Sequence, residues 1–448
     1  MSIYKACDIR GRFGEDLHAV HAARLGAAVA ALRDRPDVLV CGDGRISTPV
    51  LKSALIDSLV SAGCRVVDLG TGPTPLFYFA RAHLGLDTGV MVTASHNPAH
   101  DNGFKITLGR LPIREVEMQE LATWMESGAP PPVGSGEYVH VNLLPDYLAF
   151  LAGLAPALNG MKVVVDCANG MAALAARRAW EQTGAEVTYL LDEVDGRFAA
   201  HAPNPAEAKN LALLQEAVCR AGADLGAAYD GDADRVVFVD EQGGAVTGDQ
   251  AIVLFARDAL RAGPQTIIYD QKCSRVVPET IRALGGRAIM ERSGHTYIKR
   301  AFIETEAVYA GEMSGHHFFR AIGGDDGLAA SLFFARLLKE SGLALSALRQ
   351  TVPAYPVTPD IRIPMDAAAA EATLAALKTA LAGEASIQET DGLRLEFSDG
   401  WGLARRSVTE PVLTLRFEGD NEQALARIVR RVEEACPLLH GKLASESE

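Results

Sequence analysis

No stretch of the 448-residue sequence approaches the roughly 18 consecutive apolar residues that a membrane-spanning helix needs, so none is expected. The opening segment MSIYKACDIRGRF is charged from Lys5 onward and holds no apolar core of signal-peptide length, so no export signal is expected. Cysteine is scarce: there are seven, an odd number, with no C-x-x-C pair. Cys41, Cys64, Cys167 and Cys219 lie in apolar strand-like or helical contexts. That pattern disfavours a disulfide framework and points to reduced thiols in a cytoplasmic protein. Positive charge is in deficit, with 43 Lys and Arg against 57 Asp and Glu and a formal net charge of −14. This argues against a general nucleic-acid binder, which would need a basic face. An anionic small substrate stays allowed, because a local cluster of Arg and Lys can reverse the field within one cleft. The G-x-S-x-G nucleophile elbow is also missing.

What is present is ample core material: 48% of the residues are hydrophobic and 22% charged, as in an ordinary soluble globular protein. At roughly 150 residues per domain, this length makes three to four domains. DVLVCGDGR (37–45), KVVVDCANG (162–170) and TIIYDQKCS (266–274) are each a β-branched run ending in a polar loop. Each is followed by a helical pattern and a second strand, CRVVDLG, AEVTYLL and GRAIMERS. Strands alternating with helices mark βαβ units and mixed, mostly parallel sheets, and the recurrence suggests three related α/β domains. Boundaries are expected near NLLPDYL (142–148), EQGGAVTGDQ (241–250) and TVPAYPVTPDIRIP (351–364). Beyond the third, an Ala-rich helix (366–382), GLRLEF, a turn at Ser398–Gly402, VLTLRFEG and an amphipathic helix from Asn421 to Cys436 make a smaller α+β unit. The expected division is therefore 1–143, 144–247, 248–356 and 357–448.

Four polar loops carry the chemistry. In GVMVTASHNPAHDNGFKIT (89–107) a buried-type strand runs into Ala94-Ser95-His96-Asn97-Pro98 and breaks. Ligands of open α/β sheets bind outside the carboxyl ends of the strands, which is where this serine is delivered. In an extended chain neighbours i and i+1 point to opposite faces, so His96 is not expected beside the Ser95 hydroxyl.

LGAAYDGDADRVVFVDEQG (225–243) sets Asp230, Asp232 and Asp234 at spacing two between strand-like runs. Such carboxylates repel one another without a cation, so a metal site is the natural reading. An EF-hand is disfavoured, although Glu241 falls at its twelfth position, because Arg235 stands at the sixth where that loop needs Gly. Open coordination positions suit Mg²⁺, which shares its shell with phosphate oxygens. AVYAGEMSGHHFF (307–319) places Glu312, Ser314, His316 and His317 in a Gly-rich loop able to hydrogen-bond vicinal sugar hydroxyls. GLARRSVTEPVLTLRFEG (402–419) offers Arg405, Arg406, Ser407 and Thr409 in a turn between strands, the ingredients of a phosphate cradle. Together these describe phosphoryl transfer on a sugar phosphate, provided the four units converge on one cleft.

In these loops, and in this order, the sequence resembles the α-D-phosphohexomutases, specifically their bacterial phosphomannomutase/phosphoglucomutase branch. The resemblance rests on TASHNP, DGDADR, GEMSGHH and RRSVTEP, with CDIRG, GFKI, DQKCSR and SGHTYIK as lesser matches, and covers essentially the whole chain. It implies three related α/β domains plus a smaller fourth α+β domain around a central cleft. It further implies that Ser95 carries a phosphoryl group beside Mg²⁺ on Asp230, Asp232 and Asp234. That group passes to the free hydroxyl of a hexose 1- or 6-phosphate (mannose, glucose or both), giving a hexose 1,6-bisphosphate, and Ser95 takes back the other phosphate. Arg10, Lys105 and Arg235 would neutralise charge, with Lys105 and His295 as proton-transfer groups. Lys272, Glu312, Ser314 and His316 would grip the sugar, and Arg405, Ser407 and Thr409 the phosphate that is not reacting. The partners implied are small sugar phosphates, with no nucleic acid and no membrane, for a monomer or weak dimer.

Two positions depart from the branch's pattern: Cys7 stands where Tyr is usual and Val408 where Asn or Gly is usual. They bear on substrate affinity rather than on reaction type. The alternatives are a phosphoglucosamine mutase and a metal-dependent phosphatase with a serine phosphoenzyme. In a phosphatase a sugar loop and a distal phosphate cradle would be superfluous.

Overall fold

The computed structural model describes residues 2–406 and 411–443. Each of the three look-alike segments forms a parallel strand–helix–strand unit. The first comprises Asp37–Gly42, Thr48–Ser61 and Arg65–Thr71. The second comprises Lys162–Asp166, Ala176–Glu181 and Glu186–Leu190, and the third Thr266–Asp270, Val276–Ala283 and Arg287–Glu291. Their leading strands are runs of Val, Ile, Leu and Tyr, as strands covered on both faces require. Antiparallel strands complete each sheet, so all three are mixed. The additions place function. Asp101–Leu108 runs back along Thr88–Val92, and Val236–Asp240 runs back along Leu225–Tyr229. The serine loop and the carboxylate loop are thus the connections at those two reversals.

The fourth sheet is antiparallel throughout, Ile361–Pro364 and Ser386–Gln388 forming its edges. Helices Ala367–Ala380 and Glu422–Ala435 begin at side-chain caps from Asp366 and Asn421, which accept the amides of Ala369 and Ala424. The expected turn at Ser398–Gly402 is shorter, because Phe397 already pairs with Gly400 and leaves a two-residue hairpin. Arg405 and Arg406, expected in a turn, instead end the strand Gly400–Arg406, since Thr414 and Leu413 on the neighbouring strand continue the ladder opposite them. His317, expected in a loop, begins the buried strand His317–Phe319 and lies 2.8 Å from the Tyr309 hydroxyl. Among the described residues, no helix is long and apolar enough to cross a membrane.

The first three units share a hydrophobic core. Phe77 and Met91 of the first, Trp180 and Tyr229 of the second, and Phe255 and Phe334 of the third belong to one buried cluster. The fourth has its own, around Leu395, Phe417 and Val432. Polar contacts tie it to the third: Arg394 donates to the Gln271 carbonyl at 2.6 Å, and Lys272 pairs with Asp360 at 2.7 Å. Arg275 pairs with Asp420.

At the end of Lys162–Asp166, one carboxylate oxygen of Asp166 accepts the Ala168 amide at 2.9 Å and the other lies 3.0 Å from His201 Nε2. The Asp166 hydrogen bond, working against burial, raises the His201 pKa above its ordinary value. This contribution to stability is complete below the ordinary histidine pKa and is lost as pH rises through the raised folded one. His201→Gln should therefore lower the melting temperature more at pH 5.5 than at pH 8.5. A gap that is equal or larger at pH 8.5 would contradict the pairing.

Candidate active site

Ser95 follows Thr88–Val92 and the buried Thr93-Ala94 step. It sits at φ 52, in the left-handed region that non-glycine residues seldom occupy. Its amide donates to Thr93 Oγ1 at 2.9 Å, and its hydroxyl donates to Asp230 Oδ2 at 2.7 Å. The left-handed turn also overturns the expectation for His96. The chain is not extended here, and His96 Nδ1 comes to 3.4 Å from Ser95 Oγ. Burial first, then Arg235 and Arg10, holds the His96 imidazole well below its usual pKa, hence neutral.

The carboxylate loop is flanked by strands, as expected, and it meets the serine loop closely. A Cβ on Gly231 would lie 2.4 Å from the Ser95 carbonyl oxygen, so only glycine fits between the first two aspartates. Asp230, Asp232 and Asp234 are fully buried, and each presents an oxygen within 4.8 Å of the others. Lys105, from Asp101–Leu108, reaches Asp232 Oδ2 at 2.6 Å and Asp234 Oδ2 at 2.5 Å. Thr74 adds its hydroxyl to Asp232 Oδ2 at 2.6 Å. Burial, then Asp232 and Asp234, pushes the Asp230 carboxyl well above its usual range. Asp232 is held low against burial by Lys105 and Thr74. Asp232 Oδ1 and Asp234 Oδ1 are buried with no hydrogen-bond partner. An all-oxygen set with two orphaned carboxylate oxygens suits a hard divalent cation.

The remaining residues fall into two groups. Arg10 donates to Asp8 at 2.7 Å and to Asn97 Oδ1 at 3.0 Å, which ties it to the serine loop. Arg235 donates through Nε to His316 Nε2 at 2.9 Å and lies 3.7 Å from Asp230. His316, expected in the sugar grip, is 1% exposed and lies against the carboxylate loop, with Nδ1 3.1 Å from Asp325 and 3.8 Å from Asp234. His295 opens the helix His295–Glu304 and stacks on His316 at 5.4 Å. Burial, then Lys105 and His316, keeps it neutral. Glu312 Oε2 and Ser314 Oγ are buried without partners, and burial raises the Glu312 carboxyl.

Arg405 pairs with Asp391 at 3.0 Å, its Nε buried and unpartnered. Asp391 also accepts from Gln271 of the third unit at 3.1 Å. Lys272 is beside Gln271, engaged with Asp360. Ser407, Val408 and Thr409 lie outside the described residues. At Cys7, which replaces the branch's usual tyrosine, burial raises the thiol pKa, and the nearby Tyr297 hydroxyl donates to Glu115. Sequence reasoning missed Thr74, His96 and Asp325. Asp325 had a faint signal in GGDDG after a strand-like run, whereas Thr74 had none, since it arrives from a helix start 158 residues away.

Four domain models match in series. They are the alpha/beta/alpha domains I, II and III of phosphoglucomutase/phosphomannomutase, over residues 1–130, 145–244 and 247–355, and its C-terminal domain over 361–435. A Pseudomonas putida phosphomannomutase/phosphoglucomutase is 40% identical, covering 95% of this chain and 94% of its own. A Neisseria meningitidis phosphoglucomutase is 36% identical, covering 95% of each. The crystal structure of a Burkholderia thailandensis phosphoglucomutase/phosphomannomutase family protein superposes with a TM-score of 0.89 at 36% identity, covering 97% of each chain.

Proposed function

Because the chain belongs to the phosphoglucomutase/phosphomannomutase family, we propose that it is an isomerase interconverting hexose 1-phosphates and hexose 6-phosphates of mannose, glucose or both. One observation carries the reading. A serine held in a strained turn by one unit is hydrogen-bonded at 2.7 Å to the carboxylate loop of another. We divide the chain at 143/144, 247/248 and 356/357, one loop from each unit serving the cleft.

Asp230, Asp232 and Asp234 would hold Mg²⁺, together with a phosphate oxygen on Ser95. The ion would supply charge neutralisation and a fixed orientation for a phosphoryl group. Ser95 donates its phosphoryl group to the free hydroxyl of the bound hexose phosphate. The O–P bond to serine breaks as the bond to the sugar forms, and the hydroxyl proton leaves to His295, kept neutral by burial. The product is a hexose 1,6-bisphosphate. After it turns over in the cleft, Ser95 takes back the other phosphate. Phosphoryl transfer depends mainly on positioning and charge, which Arg10, Lys105 and Arg235 provide around the serine. Glu312 and Ser314, with unpartnered polar atoms, bind sugar hydroxyls, and Lys272 and His316 complete the sugar grip. Arg405, Ser407 and Thr409 hold the distal phosphate. A cytoplasmic location accords with seven free cysteines.

The test is phosphorus NMR of glucose 1-phosphate, mannose 1-phosphate and glucosamine 1-phosphate, each with Mg²⁺ and a catalytic amount of hexose 1,6-bisphosphate. Conversion of the first two to 6-phosphates is expected. Conversion of the amino sugar alone would make the enzyme a phosphoglucosamine mutase, and release of inorganic phosphate would make it a phosphatase. Arg405→Ala should raise KM for both 1- and 6-phosphates, since the distal phosphate is gripped in both orientations. A charge-assisted hydrogen bond of about 1.5–3 kcal/mol corresponds to roughly 10- to 150-fold. Unchanged KM in both directions would remove the fourth unit from substrate binding.

A further inference from the structure

Arg45 lies in DVLVCGDGR, at the end of Asp37–Gly42, a segment to which the mechanism above gives no part. Its side chain is 1% exposed, and its polar contacts converge on the serine loop. Nη2 donates to the carbonyls of Ser95 and Asn97, both at 2.7 Å. Nη1 donates to the carbonyls of Pro98 at 2.6 Å and Asp101 at 3.0 Å. Nε pairs with Asp43 at 3.2 Å. One guanidinium thus gathers carbonyls from both ends of the turn, a task for a planar fork that a point-charge ammonium cannot duplicate.

The same Asp43 reaches the serine by a second route. Its carboxylate accepts the hydroxyls of Thr48 at 2.6 Å and Thr93 at 2.7 Å, and Thr93 Oγ1 accepts the Ser95 amide at 2.9 Å. Ser95 is therefore held through its carbonyl by Arg45 and through its amide by Thr93, with Asp43 joining the two. A residue at φ 52 persists only where its surroundings over-determine it, and these bonds are that surrounding.

The outer face of the clamp belongs to the second unit. Phe198 stacks over the Arg45 guanidinium at 5.0 Å. The chain beside it presses so near that a Cβ on Gly196 would lie 2.4 Å from the Gly44 carbonyl oxygen.

We propose that Arg45 is a positioning residue for phosphoryl transfer. It keeps the Ser95 turn in the shape that directs the hydroxyl to Asp230, and it is itself locked by the Phe198 loop of the second unit. This inference rests on the functional reading above.

Arg45→Lys, Thr93→Val and Phe198→Leu test it, by kcat and KM for glucose 1-phosphate, by phosphoserine content from intact mass, and by melting temperature. A loop misplaced by about 1 Å costs on the order of 10²-fold in rate, so Arg45→Lys should lose about that in kcat with KM nearly unchanged. Thr93→Val and Phe198→Leu should fall in the same direction by less. Ethylguanidinium added to Arg45→Ala should restore part of the turnover by rebuilding the fork in the vacated site. Should the Arg45 variants fail to fold, Thr93→Val, nearly isosteric, decides by the same kcat-against-KM split. A lowered melting temperature with kcat unchanged per phosphorylated enzyme in Arg45→Lys or Thr93→Val overturns the clamp. A wild type lacking both phosphoserine and mutase turnover would overturn the functional reading, and the clamp's role with it. A normal wild type beside an unimpaired variant overturns the clamp alone.

Discussion

Ser95→Ala should abolish turnover, by at least about 10³-fold, while the protein folds and melts much as the wild type does. The two halves of that expectation have separate causes. Alanine carries the same Cβ into the turn at φ 52, so the backbone cost is unchanged, and the clamping bonds run to the Ser95 carbonyl and amide, which the substitution leaves in place. What disappears is the hydroxyl that reaches Asp230, the atom proposed to carry the phosphoryl group. Intact mass should show one phosphoryl group on the wild type and none on the variant. Turnover at the wild-type rate in Ser95→Ala would remove the phosphoserine from the reaction.

The second large effect concerns the carboxylates. Chelation should abolish activity and Mg²⁺ restore it, and Asp232→Asn should lose on the order of 10²-fold or more in kcat, as loss of a preorganised charged group at a phosphoryl site does. Asp232 is fully buried, accepts from Thr74 and Lys105 through Oδ2, and leaves Oδ1 unpaired. An amide there keeps the size but removes the charge that a cation needs and that Lys105 answers. Ca²⁺ should bind and support little turnover, because its larger and looser shell fixes a phosphate oxygen poorly. A readout independent of catalysis is available: Mg²⁺ at about 100 times its Kd should stabilise the wild type by about 2.7 kcal/mol, and Asp232→Asn by clearly less at the same concentration. Full activity in excess chelator would reject the loop as a catalytic metal site.

Much of this molecule could be read along the chain. Buried parallel strands are written as β-branched runs, so the three related units, their leading strands and the polar loops after them were visible before any contact was known. The carboxylate loop was legible for a simple reason: Asp230, Asp232 and Asp234 are neighbours in sequence, and like charges that close raise the expectation of a bound cation before any contact is known. The end of a strand was also legible at Ser95, from the small and φ-restricted residues that follow it.

The tertiary structure decided whatever depends on partners far apart in the chain or on a single backbone angle. The left-handed turn at Ser95, which brought His96 to its hydroxyl, follows from bonds to Arg45 and Thr93 that no local rule announces. Thr74 reaches Asp232 across 158 positions, and Asp325 reaches His316 only because the third sheet folds its loop back. The ladder opposite Arg405 and Arg406 turned an expected loop into strand. Likewise, separate repeats in sequence became a continuous core through Phe77, Trp180 and Phe255, while the fourth unit kept its own. Periodicity records which face of an element is buried, but not which other element buries it, and a catalytic site is made of that second kind of information.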